Sequence, residues 1–293
     1  MQFKVSVIIP VFNDQPNLEN CLSALKRQNT DPALLEVIVV DNASSPPMVL
    51  PSAKPVHTRL IVCGTPGSYA ARNAGASAAQ GEYLGFIDAD CWPSDSWIFE
   101  GLRVLRANEE DCFLGGEILL HESDRPTAVE LYQHLVGFGQ KTNIEENGFT
   151  ATANLFVKKN VFELIGQFNE ALLSCGDREW CWRAQKLNVD IIFAQKAIIF
   201  TYPRRSLRAA IIQARRVAGG RYYLKKNLPF ATKRTDGSKN QRKRFWQKIW
   251  TILFDERFSV LQRLRILFCA CVIKSIHELE TVRLSFGGVA ERR

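Results

Sequence analysis

The sequence predicts an α/β fold in which helices flank a mostly parallel central sheet, followed by a helical C-terminal region. Short apolar runs with the length of buried strands occupy residues 5–11, 35–41, 60–62 and 83–87. Segments with helical spacing of apolar residues separate several of these runs. A β-α-β-α-β order of this kind requires parallel pairing with right-handed crossovers.

The helices of the first half have their own signals. Asn13 and Asp14 follow the first strand as a loop and helix cap. Apolar residues then recur at helical spacing, at Leu18, Cys21, Leu22 and Leu25. Residues 68–80 are predicted as a second helix, and its small face consists of alanines.

Beyond residue 90 the pattern is less regular. It predicts helices at 97–105, 127–139, 161–165 and 177–187, and strands at 112–120, 151–157, 191–193 and 197–200. Three helices follow, over 206–226, around Trp246 and Trp250, and over 258–284. The last helix places one set of apolar residues on one side: Leu261, Leu264, Phe268, Val272 and Leu279.

Composition limits the class of protein. The 293 residues are 46% hydrophobic and 23% charged, which is typical of a globular protein with a full core. The eight cysteines show no CxxC spacing and the four histidines no HExxH pattern, so we expect reduced core cysteines in a reducing compartment. Strand-like residues begin at once, so no signal peptide is expected, and the longest apolar run, 266–273, is too short to span a bilayer.

The net charge of +8 is unevenly distributed. Residues 1–200 carry 16 basic and 24 acidic residues, a net charge of −8, whereas residues 201–293 carry 22 and 6, a net charge of +16. This asymmetry predicts an acidic body, residues 1–203, and a basic helical region, residues 204–293, that binds phosphate groups. The phosphate could belong to a membrane surface or to a nucleic acid.

Asp88 and Asp90 directly follow the apolar run 83–87. Carboxylates at the end of a buried parallel strand lie where open α/β sheets bind ligands. Two nearby carboxylates repel each other unless a cation lies between them, and Mg²⁺ or Mn²⁺ suits such oxygen ligands. The stretch therefore predicts either a metal that binds a diphosphate or a capped turn formed by Asp90, Ser94 and Asp95 around Pro93.

Several segments together resemble the family 2 glycosyltransferases of the GT-A fold, over about the first two-thirds of the chain. They are the opening strand and loop 7–14, the strand end 39–44, the Arg-Asn-x-Gly helix 71–75, the DxD motif 88–90, and the later segments 166–170 and 175–180. Their order and spacing carry the resemblance, because each motif alone is weak.

The resemblance implies a nucleotide-sugar site and a divalent metal, Mn²⁺ or Mg²⁺. Its nucleotide-binding positions are Pro10, Val11, Asp14, Asp41, Arg72 and Asp88. Asp41 would accept a hydrogen bond from a uracil N–H, or else cap the turn at residues 43 and 44. Arg72 would offer its planar guanidinium to a base carbonyl or a phosphate. Asp90, with Asp88, would hold the metal.

The resemblance also implies an inverting reaction with Asp177 as the general base, and Glu179 as the reserve candidate. Glu179 could equally pair with Arg183 at i, i+4. Trp180 could stack on an acceptor sugar or lie in the core. Asn154 completes the expected sugar contacts.

The sequence departs from the family at two positions. Tyr202 stands where many members have a histidine that contacts the metal or diphosphate. Gln213-Ala214-Arg215-Arg216-Val217 is similar to the QxxRW motif of processive members, but valine replaces its tryptophan. The membrane-spanning channel of those members is also missing, so we expect transfer of a single sugar.

The expected enzyme moves a sugar from a nucleotide sugar, UDP-linked by preference, to a hydroxyl of a saccharide or lipid-linked acceptor in cell-surface or extracellular polysaccharide or glycoconjugate biosynthesis. Its basic region, with Trp246, Trp250 and Phe254 flanked by Arg242 and Lys243, either contacts the inner face of the cell membrane or packs on the catalytic body. Nucleic-acid binding is not expected, because no reading motif is present. The alternatives in other classes are a sugar-phosphate nucleotidyltransferase and a non-catalytic membrane adaptor.

Overall fold

The computed structural model describes residues 4–108, 110–228 and 238–290, without the side chains of 238–245. The side chains of Arg242 and Lys243 therefore lie outside the described residues. The chain divides into two compact units. One comprises Met1–Leu119, Gly139–Ala171 and Gly176–Tyr202, and the other Leu120–Phe138, Leu172–Cys175 and Pro203–Arg293.

The first unit is built on one eight-stranded sheet with the order β3-β2-β1-β4-β7-β6-β8-β5. Its strands are β1 Val5–Val11, β2 Leu35–Asp41, β3 Thr58–Val62, β4 Tyr83–Ile87, β5 Cys91–Pro93, β6 Cys112–Leu120, β7 Asn154–Lys158 and β8 Asp190–Thr201. Its helices are α1 Gln15–Lys26, α2 Ser68–Ala78, α3 Trp97–Arg106, α5 Gln140–Asn147, α6 Lys159–Ile165 and α7 Gly176–Lys186, together with a short 3₁₀ helix at Pro32–Leu34.

The predicted α/β fold is confirmed. The four N-terminal strands pair in parallel, β1 with both β2 and β4, and β2 with β3. Strand β7 then joins β4 in the antiparallel direction. Strands β1, β2 and β4 are almost entirely buried, which agrees with their near-continuous apolar runs. Helix α2 packs so closely on the sheet that a Cβ at Gly75 would lie 2.5 Å from the Ile8 side chain.

Four local predictions were wrong. Strand β8, Asp190–Thr201, is one continuous strand and not two, and it lies between β6 and β5 in the sheet. The three-residue strand β5, directly after Asp90, was missed, since so short a run has no periodicity of its own. The helix expected at 127–139 ends at Val136, and α5, which follows Gly139, was missed.

The second unit is helical, with α4 Ala128–Val136, α8 Leu207–Asn227, α9 Ser238–Phe254 and α10 Val260–Ser285. Helix α10 packs against both α8 and α4. Capping boxes begin two of these helices, with Thr127 on α4 and Ser259 on α10. Among the described residues, no helix combines the length and apolar character needed to cross a bilayer.

Candidate active site

The carboxyl ends of β1, β2 and β4 meet at one edge of the sheet, because these strands are parallel and in register. Val11 at the end of β1 lies opposite Asp41 at the end of β2. Strand β4 ends at Ile87, so Asp88 begins the loop at the same edge. This is the edge at which open α/β sheets bind ligands.

Asp41 is almost completely buried, with 2% of its surface exposed. Its two carboxylate oxygens accept hydrogen bonds from the backbone N–H groups of Ser44, at 2.9 Å, and Met48, at 3.0 Å. Burial opposes ionisation, but the hydrogen bonds from Ser44 and Met48 outweigh it and lower the pKa of Asp41. The carboxylate thus fixes the loop after β2, as the turn-capping alternative predicts, and retains lone pairs for a further donor.

The loops after β1 and β2 are bonded to each other. The Val11 carbonyl accepts from the Asn42 N–H at 2.8 Å. The Asn13 side chain accepts from the Ser45 N–H at 2.8 Å. Asp14 precedes α1, and its carboxylate accepts from the Asn17 amide at 3.0 Å. Val11 is therefore tied to the loop after β2, and Pro10 pairs with Val40 inside the sheet.

Arg72 and Asp88 form an ion pair between α2 and the loop after β4. Arg72 is only 4% exposed, and its Nε atom has no hydrogen-bond partner. Its guanidinium lies over the ring of Tyr69, with the Cζ atom 5.4 Å from the ring centroid. A buried guanidinium with an unsatisfied donor is costly unless a ligand completes it.

Asp90 is exposed and lies directly before β5. The Thr201 hydroxyl at the end of β8 donates to the Asp90 carbonyl at 3.2 Å. Tyr202, the next residue, packs on Trp92 with ring centroids 4.6 Å apart. The position at which the resemblance would place a histidine is therefore next to the DxD loop.

The donor set around Asp90 fits a hard divalent cation. Within the described parts of the chain, no group of three or more His, Cys, Asp or Glu side chains could hold a metal by itself. Mg²⁺ is commonly bound by one or two carboxylates and completed by substrate phosphates and water. An exposed Asp90 next to the half-buried Asp88 matches that mode of binding.

Asp177 lies in the first turn of α7, and Tyr69 connects it to the Arg72–Asp88 pair. The Tyr69 hydroxyl accepts hydrogen bonds from the backbone N–H groups of Gly176, at 2.8 Å, and Asp177, at 3.3 Å. Burial raises the pKa of Asp177, with Arg178 and Arg72 partly opposing it. A carboxylate with a raised pKa is a stronger base.

Sequence reasoning missed Tyr69. The available signal was its position in α2, one turn before Arg72, since residues three apart on a helix are neighbours. Its partner, the start of α7, lies 107 residues further along the chain. Only the folded chain shows that contact.

Comparison with known proteins now decides the family. The family model described as Glycosyl transferase family 2 matches residues 6–168. The glycosyltransferase AglE of Haloferax volcanii is 33% identical over 222 residues, which are 74% of this chain and 72% of AglE. The chain belongs to glycosyl transferase family 2.

Further relatives agree with this membership. The pre-mycofactocin glycosyltransferase of Mycobacterium tuberculosis is 25% identical over 213 residues, 70% of this chain and 44% of that protein. The mannosyltransferase PcManGT of Pyrobaculum calidifontis, solved with GDP-Man and Mn²⁺, has a TM-score of 0.60 at 16% identity, covering 97% of this chain and 86% of PcManGT. This likeness shows the GT-A fold. Membership also decides against the nucleotidyltransferase and adaptor alternatives.

Three residues expected at the sugar site of this glycosyltransferase have structural partners. Glu179 forms an ion pair with Arg183 at 2.7 Å, which is the i, i+4 pairing that the sequence offered as the alternative to a catalytic role. Trp180 is fully buried, and its Nε1 donates to the Gly166 carbonyl at 2.8 Å. Asn154 is fully buried as well, and its amide contacts Trp97 and two backbone carbonyls at 2.8 to 2.9 Å. These contacts use the polar groups of Trp180 and Asn154, so neither enters the site proposed below.

A cavity of ≈ 240 Å³ lies beside α2. Its lining residues are Cys63, Thr65, Ala70, Asn73, Ala74, Ser77, Gln167 and Glu170. None of the residues predicted to bind donor or metal lines it. The candidate active site is therefore the open sheet edge with the Arg72–Asp88 pair, and not this cavity.

Proposed function

We propose that this glycosyltransferase transfers a single sugar, with inversion, from a UDP-sugar to a hydroxyl of a saccharide or lipid-linked acceptor. The observation that carries the proposal is the continuous chain of contacts from Asp88 through Arg72 and Tyr69 to the backbone of Asp177. It joins the residues assigned to the donor with the residue assigned to the base. The product would belong to cell-surface or extracellular polysaccharide or glycoconjugate biosynthesis.

The donor would bind at the sheet edge within residues 1–203, the proposed catalytic domain. Asp41, Pro10, Val11 and Asp14 would line the nucleotide position. Arg72 would donate its unsatisfied Nε–H to the nucleotide, which removes the cost of a buried unpaired donor.

Asp90, with Asp88, would hold Mn²⁺ or Mg²⁺. When bound, the cation would neutralise the charge that develops on the departing nucleoside diphosphate. The presence of Mn²⁺ and GDP-Man in the PcManGT structure supports a metal and keeps GDP as the second candidate nucleotide. Tyr202, a weaker ligand type than histidine, leaves Asp90 as the main protein ligand.

Asp177 would act as the general base. Its carboxylate would take the proton of the acceptor hydroxyl while that oxygen forms a bond to the anomeric carbon. The bond from the anomeric carbon to the diphosphate oxygen breaks at the same time, and the leaving group departs with the electron pair. Attack opposite the leaving group inverts the anomeric centre.

The basic region 204–293 supports a location in the cytoplasm at the inner face of the cell membrane, where a lipid-linked acceptor would be reached. An anionic leaflet attracts a segment with 22 basic and 6 acidic residues. A saccharide acceptor in solution is the competing proposal.

The test begins with thermal-shift measurements of UDP- and GDP-sugars, each with and without MnCl₂, because ligands that bind the folded state raise its melting temperature. Asp90→Asn should abolish the Mn²⁺-dependent part of that shift. With the selected donor, Asp177→Asn should keep the shift but lower kcat by about 10²- to 10⁴-fold. Asp111→Asn, an exposed position outside the site, is the matched control. Full transfer by Asp177→Asn would exclude Asp177 as the base.

A further inference from the structure

Helix α10 carries apolar residues on two opposite faces. One face is buried in the second unit through Ile266, Cys269, Ala270 and Leu284. A second set is more than half exposed and is here termed the α10 stripe: Leu261, Leu264, Phe268, Leu279, Val282 and Phe286. Helix α10 therefore packs on its own unit with one apolar face and leaves a second apolar face exposed.

The α10 stripe consists of two apolar patches on the same side of the helix, 261–268 and 279–286. Its members follow each other at helical spacing, three or four residues apart within each half of the helix. At about 100° per residue they fall within a sector of about 60°. About 16 Å of helix separates the two patches, and the exposed Ser275 lies between them in the same sector. Scattered exposed apolar residues are ordinary, but clusters of them on one side of a helix mark an interaction surface.

Helix α9 carries exposed aromatic residues of its own. Trp250 and Phe254 stack face to face, with ring centroids 5.4 Å apart and an interplanar angle of 4°. Both rings are more than half exposed, as is Trp246. Helix α9 packs against α10 in the same unit. Tryptophan is enriched where a protein meets the boundary between lipid and water.

Charge decides which occupant suits the surface. Residues 201–293 carry a net charge of +16, so a second copy of the chain would bring like charge against like charge. An anionic lipid leaflet has the complementary charge, and Arg265, exposed beside Leu264, would reach its headgroups. Helix α10 is too polar to span a bilayer but has an exposed apolar side. Helices of this kind lie parallel to the membrane, at the boundary between headgroups and acyl chains.

We propose that the α10 stripe, with Trp250 and Phe254, inserts into the headgroup region of an anionic membrane. The inference deepens the proposed location of the enzyme, but its test needs neither donor nor acceptor. Lipid binding and sugar transfer can therefore fail independently.

The test is co-sedimentation of the full chain with vesicles. Vesicles of 30% phosphatidylglycerol in phosphatidylcholine should bind the wild-type protein at least about tenfold more strongly than vesicles of pure phosphatidylcholine. The anionic vesicles add electrostatic attraction to the burial of apolar side chains, whereas the neutral vesicles offer only the burial. Phe268→Glu and Leu264→Glu should each lower binding to the anionic vesicles by about tenfold or more. Phe268→Leu, which keeps an apolar side chain, should retain it.

Leu164→Glu is the matched control, because Leu164 is an exposed leucine of α6 in the other unit, 54% exposed against 58% for Leu264. It should bind vesicles like the wild type. Circular dichroism confirms that each variant folds. Equal binding by Phe268→Glu and wild type would overturn the proposal. The proposal would also be overturned if the wild type did not bind vesicles but formed a dimer in light scattering, and Phe268→Glu dissociated that dimer. A second copy of the chain would then cover the stripe.

Discussion

The contact between Tyr69 and the start of α7 provides the sharpest test of the site. In Tyr69→Phe the hydroxyl that accepts from Gly176 and Asp177, at 2.8 and 3.3 Å, is lost. The ring that supports the Arg72 guanidinium remains. The substitution therefore separates the positioning of Asp177 from the positioning of Arg72.

The expected magnitude follows from the burial of the two N–H groups. Tyr69 is 6% exposed and Gly176 is buried, so water has little access to replace the lost acceptor. A buried donor left without a partner costs about 1–3 kcal/mol, and the longer bond from Asp177 adds little. We expect the free energy of unfolding to fall by about 2 kcal/mol. A displacement of the base by about 1 Å can reduce kcat by up to about 100-fold.

Two measurements check this expectation. Urea denaturation gives the free energy of unfolding, and single-turnover transfer with the donor found by thermal shift gives the rate, while donor affinity should stay within about twofold. Tyr223→Phe, at a partly exposed position in α8, should change stability by less than about 0.5 kcal/mol. An unchanged kcat at reduced stability would show that Tyr69 has no part in positioning Asp177. A loss of donor affinity equal to the loss of kcat would show that Tyr69 acts through Arg72.

Three further predictions concern stability. Burial raises the pKa of Asp177, so stability is lost as the pH rises from the unfolded value of about 3.8 through the raised value, because the ionised carboxylate is disfavoured in the folded state. Asp177→Asn should therefore melt at a higher temperature than wild type at pH 7, and this difference in melting temperature should close near pH 3. A Cβ at Gly176 would lie 2.6 Å from the Tyr69 ring, so Gly176→Ala should cost about 1–3 kcal/mol in denaturation, whereas Gly64→Ala, with open space around the new Cβ, should be nearly neutral. Burial and neighbouring cations lower the pKa of His277 to about 4. The folded state therefore loses stability as the pH falls from about 6.5 through 4, by on the order of 2 kcal/mol after solvent screening. His277→Gln should make the free energy of unfolding less dependent on pH in that window.

Local sequence signals predicted most strands and helices of the first unit. Runs such as Val5–Val11 and Leu35–Asp41 are apolar throughout because both faces of a parallel strand are buried. Strand β5 has three residues and exists through its pairing with β8, so no local pattern could predict it. Strand β8 is a single strand in the fold, although its sequence looks like two short ones.

The residues themselves determined the family, the DxD loop at a strand end and the apolar side of α10, because motif order and periodicity are properties of the chain. Tertiary structure decided which polar side chains are already satisfied and which are not. Asn154 and Trp180 use their hydrogen bonds inside the core, whereas Arg72 keeps an unsatisfied Nε. The fold also decided that Leu264 and Phe268 face outward. Burial and pairing depend on residues that are distant in sequence, and for this reason a pattern along the chain could not assign them.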